Sequence, residues 1–430
     1  AHHAIGGVVS QRDSSLTPLA VVPFTASMEM VAQAARDLVG DHLVCTQVRN
    51  MRAHRWVALD AGEATVRIEA RQSGEDLVDV QVVVIRDPHI APADPADAGP
   101  EYVAFEAQVV LSDRYLAAPA GPSDEWSEGP ARGLYSGLFH GPAFRGVEVV
   151  DDVTEDRVRA RGRRRRVDLH PDYPLRPRME MDPFLADTCG QLVSFWANEH
   201  NSQTVGAFPY SAEAYEVYGP LIPEGTPVRF EVRIRESDDV GTCADIDIID
   251  GSGSVLARFV GLRQRVFAFP TRFLTYLLNP AREMLSVDWP VGPPPVTLRA
   301  ITDMQPDFLV SGYGIWSRVL AHVSLTAGER RSWYGMRAQP GRRIEWLLGR
   351  IAMKDAVRAW ALHHHGVDLQ PADVEILTTT EGAPYVHCPP LESIGGVPVV
   401  SLTHSKSMIV AGAARPGAVL GIDIEASDRD

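Results

Sequence analysis

Cysteine is scarce in this 430-residue chain: Cys45, Cys189, Cys243 and Cys388 lie far apart, with no Cys-x-x-Cys pair among them. That argues against a disulfide framework and a cysteine-built zinc site, and reads as reduced, mostly buried thiols. No apolar run approaches the roughly 18 residues of a membrane span, and the first residues lack the basic, apolar and cleavage regions of a signal peptide. The expectation is a cytoplasmic protein with no membrane partner. Surplus positive charge is lacking too. Lys and Arg number 41 against 56 Asp and Glu, a formal net charge of -15, whereas a phosphate backbone is held by excess cations, so no nucleic-acid partner is expected.

What is present is the balance of a globular chain, 45% apolar and 23% charged, long enough for two or three domains. One run opposes the acidic trend. Arg157, Arg159, Arg161 and Arg163 to Arg166 form a basic segment that reads either as a solvated strand end or as a surface receiving an acidic protein or a phosphate.

The spacing of Met28, Val31, Ala32, Ala35 and Leu38 predicts a helix that Pro23 starts and Gly40 ends. Strand-like segments follow at residues 52–60, 65–71, 77–85 and 102–111, a meander wrapped on one helix. The order repeats from about residue 134, with a second apolar helix near 184–196 and strands near 227–237, 243–250 and 255–266, which reads as a duplicated unit. Stretches 91–100, 119–129 and 279–295 are rich in Pro, Gly and Ala and read as loops. Beyond about residue 308 the pattern turns helical, with Met353, Ala356, Val357 and Trp360 on one face.

Three segments resemble the dehydratase domains of polyketide and fatty acid synthases. Residues 3–7, HAIGG, lead after an insertion to Val21-Val22-Pro23 and resemble the family's His-x-x-x-Gly motif. In LYSGLFHGPAFRGV, Tyr135, Gly141, Pro142 and Phe144 match a Tyr and Gly-Pro-x-Phe region. DPFLADTCGQ, residues 182–191, matches a Pro, an Asp four residues on and a Gln four further, with Asp182 where many members carry His. The resemblance implies an α+β double hot dog, two helix-wrapped antiparallel sheets side by side, with halves at 1–118 and 119–269. It also implies strand sequence ahead of the motif histidine.

Removing water from a β-hydroxyacyl thioester needs a base for the α-proton and an acid for the departing hydroxyl. A neutral imidazole at His3 suits the first task, although His2 also satisfies the His-x-x-x-Gly spacing. Asp187 suits the second if burial keeps it protonated, with Gln191 one turn on orienting the carboxyl group. His3, Asp187, Gln191 and Tyr135 are the candidate catalytic residues, and this chemistry asks for no cofactor. The N-terminus of the first helix is placed to stabilise a thioester oxygen.

Residues 309–430, after a linker at 270–308, resemble the 4′-phosphopantetheinyl transferases, which move the phosphopantetheine arm of coenzyme A onto an acyl carrier protein. The matching segments are RRIEWLLGR at 342–350, Gly382-Ala383-Pro384, Ser401-Leu402-Thr403-His404-Ser405 and Gly421-Ile422-Asp423-Ile424-Glu425. The resemblance implies coenzyme A as substrate, held by Arg342, Arg343, Thr403 and His404, and Mg2+ held by Asp423 and Glu425. As i and i+2 on a strand, those two carboxylates project to one side. A further Glu and a Trp/Phe-x-x-Lys-Glu segment are expected beyond residue 430, so this part reads as incomplete. Implied partners are acyl carrier protein and its acyl thioesters, neighbouring synthase domains and a second copy in a homodimer. Two rival readings remain: a cyclase resembling product-template domains, and a silent hot-dog module that dimerises or docks carrier protein through the Arg157 to Arg166 run.

Overall fold

A computed structural model describes residues 3–90, 99–122, 133–135, 138–165, 179–201, 205–289, 296–302, 306–405 and 408–425. His2, Arg166, the stretch 91–98 and most of 119–129 lie outside the described residues. The chain divides into two compact units, the first made of residues 1–3, 21–86 and 100–269, the second of 4–20, 87–99 and 270–430. The short strands β1 (Ala4–Ile5) and β2 (Leu19–Ala20) pair with each other in the second unit.

In the first unit, helix α1 (Phe24–Val39) begins after Pro23 and ends at Gly40, whose φ of 111° suits a residue without Cβ. Its apolar stripe of Phe24, Met28, Val31, Ala32 and Ala35 is buried against β3 (Val44–Ala53), β4 (Thr65–Gln72), β5 (Leu77–Ile85) and β6 (Glu101–Ser112). The first strand thus lies ahead of the expected 52–60. Asn50 has φ 52° and the pairing with β6 shifts register between Arg49 and Arg52. A bulge there breaks the alternation on which the sequence reading relied.

The second half opens with a 3-10 turn (Pro142–Phe144), then β7 (Val147–Val153), β8 (Arg157–Arg163), helix α2 (Pro183–His200), β9 (Val205–Val217), β10 (Pro227–Ser237), β11 (Gly241–Ile249) and β12 (Val255–Ala268). The Asp182 carboxylate caps α2, accepting the N–H groups of Phe184 and Leu185 at 3.0 Å each. All ten strands β3–β12 form one antiparallel sheet in the order β4-β5-β6-β3-β9-β12-β11-β10-β8-β7. The halves join where β3 pairs with β9. Residues of α1 and α2 share one apolar core with the sheet. This is the double hot dog: each half alone would leave a helix stripe and a sheet edge exposed, and joining the sheets covers both.

The Arg157 to Arg165 run is not an open basic surface. Arg157, Arg159, Arg161 and Arg163 alternate along β8 and so share one face, while Val158 and Ala160 enter the core. Their partners arrive from neighbouring strands: Asp152, Asp151 and Glu148 on β7, and Glu231 on β10. Arg164 turns to Asp182 at the cap of α2, and Arg165 lies 4.0 Å from Glu148. Cross-strand acids neutralise charges that the linear sequence presents as free.

In the second unit come helix α3 (Thr271–Leu278) and strands β13 (Val287–Asp288) and β14 (Thr297–Ile301). After them stand α4 (Pro306–Ser324), which departs from helical geometry at Ser311 to Gly314, α5 (Ala327–Tyr334) and α6 (Pro340–His365). The hairpin β15 (Glu375–Thr378) and β16 (Pro384–His387), the turn helix α7 (Pro389–Glu392), β17 (Val399–Ser405) and β18 (Met408–Ala414) complete it. Much of the expected linker 270–308 is therefore folded, since β14 pairs with β18 inside the sheet β13-β14-β18-β17. Helix α6 buries Met353, Ala356, Val357 and Trp360 as its periodicity predicts.

Candidate functional site

Three titratable groups from separate segments of the first unit converge at His3, His140 and Asp187. His3 is held beside the second half by a backbone bridge to His140. Its Nδ1 lies 2.9 Å from the Val21 carbonyl oxygen, an acceptor, so Nδ1 carries the proton and Nε2 keeps a lone pair. The rings of Phe139, His140 and Phe144 enclose it at centroid distances of 5.2, 5.3 and 5.2 Å. Burial lowers its pKa from the ordinary histidine value, against the pull of Asp187.

Asp187 sits one turn inside α2, so the capped end of that helix fixes its height. Burial raises its pKa, partly opposed by His3, Gln191 and Thr25. Gln191 donates its amide N–H to Asp187 Oδ2 at 2.7 Å and to the Phe144 carbonyl at 2.9 Å. Thr25 belongs to the first turn of α1, whose N-terminus carries no side-chain cap. Helix α1 thus presents its positive end toward the carboxyl group.

The third member is one that sequence reasoning passed over. His140 precedes the Gly-Pro-x-Phe turn, is 7% exposed, and brings Nε2 to 3.4 Å from Asp187 Oδ2. Burial, with His3 and Arg145 nearby, holds its pKa well below the ordinary value. The signal was its place within the quoted motif, immediately before Gly141. Tyr135 makes its hydrogen bond and ring contact elsewhere in the motif: its hydroxyl accepts the Val147 N–H at 2.9 Å and its ring carries Arg145 at 5.5 Å, while the charge of Asp187 is among those that act on it. Its local task is to fasten the motif to β7. Among the described residues, His3, His140 and Asp187 are the one group of three with donor atoms within 4.8 Å of each other, close enough to share a cation.

The second unit separates the residues that its motifs suggest. Arg342, in the first turn of α6, is well exposed and lies 3.5 Å from Glu345, which His404 of β17 approaches at 3.9 Å. Arg343 is instead 4% exposed and stacks on Trp333 at 4.6 Å, so it packs the interior and does not offer itself to a phosphate. Thr403 is half-buried in β17. Asp423 and Glu425 belong to no strand, contrary to expectation, yet exposure alternates from Gly421 to Glu425 and leaves both carboxylates in solvent. The side chains of Leu420 and Ile422 crowd Gly412 of β18, where an added Cβ would meet Ile422 at 2.5 Å.

Residues 129–268 match the sequence model of the polyketide synthase dehydratase N-terminal domain. The chain is 26% identical over 314 residues to the phthioceranic/hydroxyphthioceranic acid synthase of Mycobacterium tuberculosis, covering 71% of this chain and 13% of that protein. It therefore spans a small part of that curated relative. It is 40% identical over 95 residues to a holo-acyl-carrier-protein synthase of Enterococcus faecalis, covering 22% of this chain and 71% of the relative. Solved structures similar to it include a trans-AT polyketide synthase dehydratase domain from Brevibacillus brevis, at 17% identity and TM-score 0.46 over 62% of this chain and 88% of that one. The dehydratase domain of RzxB from Pseudomonas fluorescens matches at 14% identity and TM-score 0.44, over 60% and 92% of the two chains.

Proposed function

Because the chain belongs to the polyketide synthase dehydratases and, over 95 residues, to the holo-acyl-carrier-protein synthases, we propose that its first unit dehydrates a β-hydroxyacyl group on an acyl carrier protein. The observation that carries this reading is the meeting of a lone-pair imidazole at His3 and the buried Asp187 carboxyl group, one from each half of the double hot dog, within 4.8 Å of each other. His3 Nε2 takes the α-proton, and electron density moves onto the thioester oxygen, toward the uncapped first turn of α1. Asp187 delivers its proton to the β-hydroxyl, the C–O bond breaks, and water leaves an α,β-enoyl thioester. Return of the proton from His3 to Asp187 resets the site.

The second unit supports a weaker companion reading, a phosphopantetheinyl transferase activity toward carrier protein. Asp423 and Glu425 are exposed hard oxygen donors, which fits Mg2+, a cation that keeps several waters and takes one or two carboxylates. When bound it would neutralise the pyrophosphate of coenzyme A. Arg342 and His404 are exposed and cationic or donor-capable, and fit an anionic substrate; Arg343 does not.

The dehydratase reading is tested by offering the purified protein a β-hydroxyacyl carrier-protein thioester and following loss of water by mass spectrometry. His3→Ala and Asp187→Asn should each lower turnover by about 10²–10⁴-fold, the usual worth of a positioned acid or base. Full activity in either variant would remove that residue from the mechanism, and conversion to a ring product would favour the cyclase.

A further inference from the structure

Two imidazoles and one carboxylate, from His3, His140 and Asp187, bring one donor atom each to within 4.8 Å of one another. Zinc takes such a donor set with a fourth position left to water, and at its usual bond lengths neighbouring donors of the tetrahedron stand about 3.3–3.5 Å apart. His140 Nε2 and Asp187 Oδ2 are 3.4 Å apart. That is longer than an N–H···O hydrogen bond and matches the edge of a shared ion. The surroundings hold the three side chains as ligands are held. His3 Nδ1 donates to the Val21 carbonyl oxygen at 2.9 Å, an outer hydrogen bond that leaves the lone pair on Nε2. Gln191 donates to Asp187 Oδ2 at 2.7 Å and orients the carboxylate. The His140 ring stacks on Phe139 at 4.4 Å and 19°, and its backbone carbonyl accepts Arg145 Nε at 2.8 Å. His140 Nδ1 is buried with no hydrogen-bond partner among the described residues, so no outer bond fixes that ring's tautomer. An ion at Nε2 fixes it, with the ring proton on Nδ1.

We propose that His3, His140 and Asp187 bind one divalent transition ion of the zinc class and that, resting on the dehydratase reading, this ion switches dehydration off. Two nitrogen donors favour zinc or cobalt over Mg2+, which prefers oxygen, so the site differs in kind from the exposed carboxylates Asp423 and Glu425. Ligands bind deprotonated. The entering ion therefore sends the Asp187 proton to solvent and takes the His3 Nε2 lone pair, so acid and base are withdrawn together. Removing the ion returns both.

The test uses the whole chain, stripped with a chelator and titrated with Co2+, whose visible spectrum distinguishes tetrahedral nitrogen ligation from octahedral oxygen ligation. The expected result is a tetrahedral spectrum that Zn2+ displaces and excess Mg2+ does not. His140→Phe, which keeps the ring volume, should weaken that binding by at least about 100-fold, the upper end of what losing an outer hydrogen-bond partner of a ligand costs. Asp187→Asn, nearly the same shape, should weaken it as well, and it still decides if the Phe variant does not fold. No tetrahedral spectrum, or one unchanged in the folded variants, would overturn the site. Turnover of the β-hydroxyacyl thioester is followed in parallel: the stripped protein should be fully active, one equivalent of Zn2+ should suppress it, and chelator should restore it. Loss of activity on stripping, with recovery on adding Zn2+, would overturn the inhibitory role. A protein that dehydrates nothing with or without metal would sink the dehydratase reading, while the Co2+ spectrum still reports on the site.

Discussion

At the scale of single residues, burial sets the charge states on which the site depends. His3 is pushed down and Asp187 up, the directions that the proposed pairing of a neutral imidazole with a protonated carboxyl group requires. The expected profile of kcat/KM against pH is a bell. Its acid limb lies below the ordinary histidine value, and its alkaline limb above the ordinary carboxylate value. Limbs at the unshifted values would show that neither group is desolvated in the working enzyme. The same shift bears on stability. A carboxyl group whose folded pKa is raised contributes stability below its unfolded pKa and loses it as pH rises through the folded one. Asp187→Asn should therefore raise the melting temperature at pH 7 while lowering dehydration by about 10²–10⁴-fold, a combination that a merely structural aspartate would not give. His3, Asp187 and Gln191 were legible because each sits in a spaced motif. His140 was quoted within one of those motifs, but nothing in the linear sequence says that its ring turns toward Asp187.

At the scale of elements, the first helix and the β8 strand carry the clearest consequences. Glu29 of α1 is buried and accepts the backbone N–H groups of Glu180 and Met181 at 2.8 and 2.9 Å, which ties α1 to the approach of α2. Burial raises its pKa to about 7 from the model-compound value of 4.5. Its contribution is present below the unfolded value and lost as pH rises through about 7, a loss on the order of 3 kcal/mol when complete. Thermal unfolding followed from pH 5 to 8 should show that decline, and Glu29→Gln should flatten it; an unchanged slope in the variant would assign the decline to another group. On β8, Arg159 and Glu231 are both about 5% exposed at the side chain. Arg159→Ala should cost roughly 1.5–3 kcal/mol, the worth of a buried hydrogen bond to a charged group, because Arg233 still reaches the other oxygen of Glu231 at 3.2 Å. Arg163→Ala, at a solvated pair, should leave chemical denaturation nearly unmoved. Equal effects at the two positions would contradict the burial pattern. Helix periodicity was readable for α1, α2 and α6 because apolar spacing acts within one element. The strand at β8 was one of the two readings of the Arg run, but its ion pairs were not legible because their partners lie as far away as residue 231, in a strand that only the sheet brings alongside.

At the scale of the whole molecule, two compact units carry two family resemblances, and each has its own test. In the second unit, Gly412→Val should displace residues 420–422 and, with them, the exposed pair Asp423 and Glu425. Isothermal titration should then show Mg2+-dependent coenzyme A binding weakened about as much as by Asp423→Ala; binding that survives both changes would place the metal elsewhere. The sequence by itself determined the class of both units, the two core helices and the spaced motifs that hold His3, Asp187, Asp423 and Glu425. These follow from spacing, which is a property of neighbours along the chain. Tertiary structure alone decided that residues 4–20 and 87–99 group with the second unit, that the expected linker supplies a strand to its sheet, that Arg343 is packed under Trp333, and that His140 joins His3 and Asp187. Each of those outcomes depends on which distant segment offers a partner of matching shape, charge or hydrogen-bonding capacity, and that choice is made by the folded core as a whole.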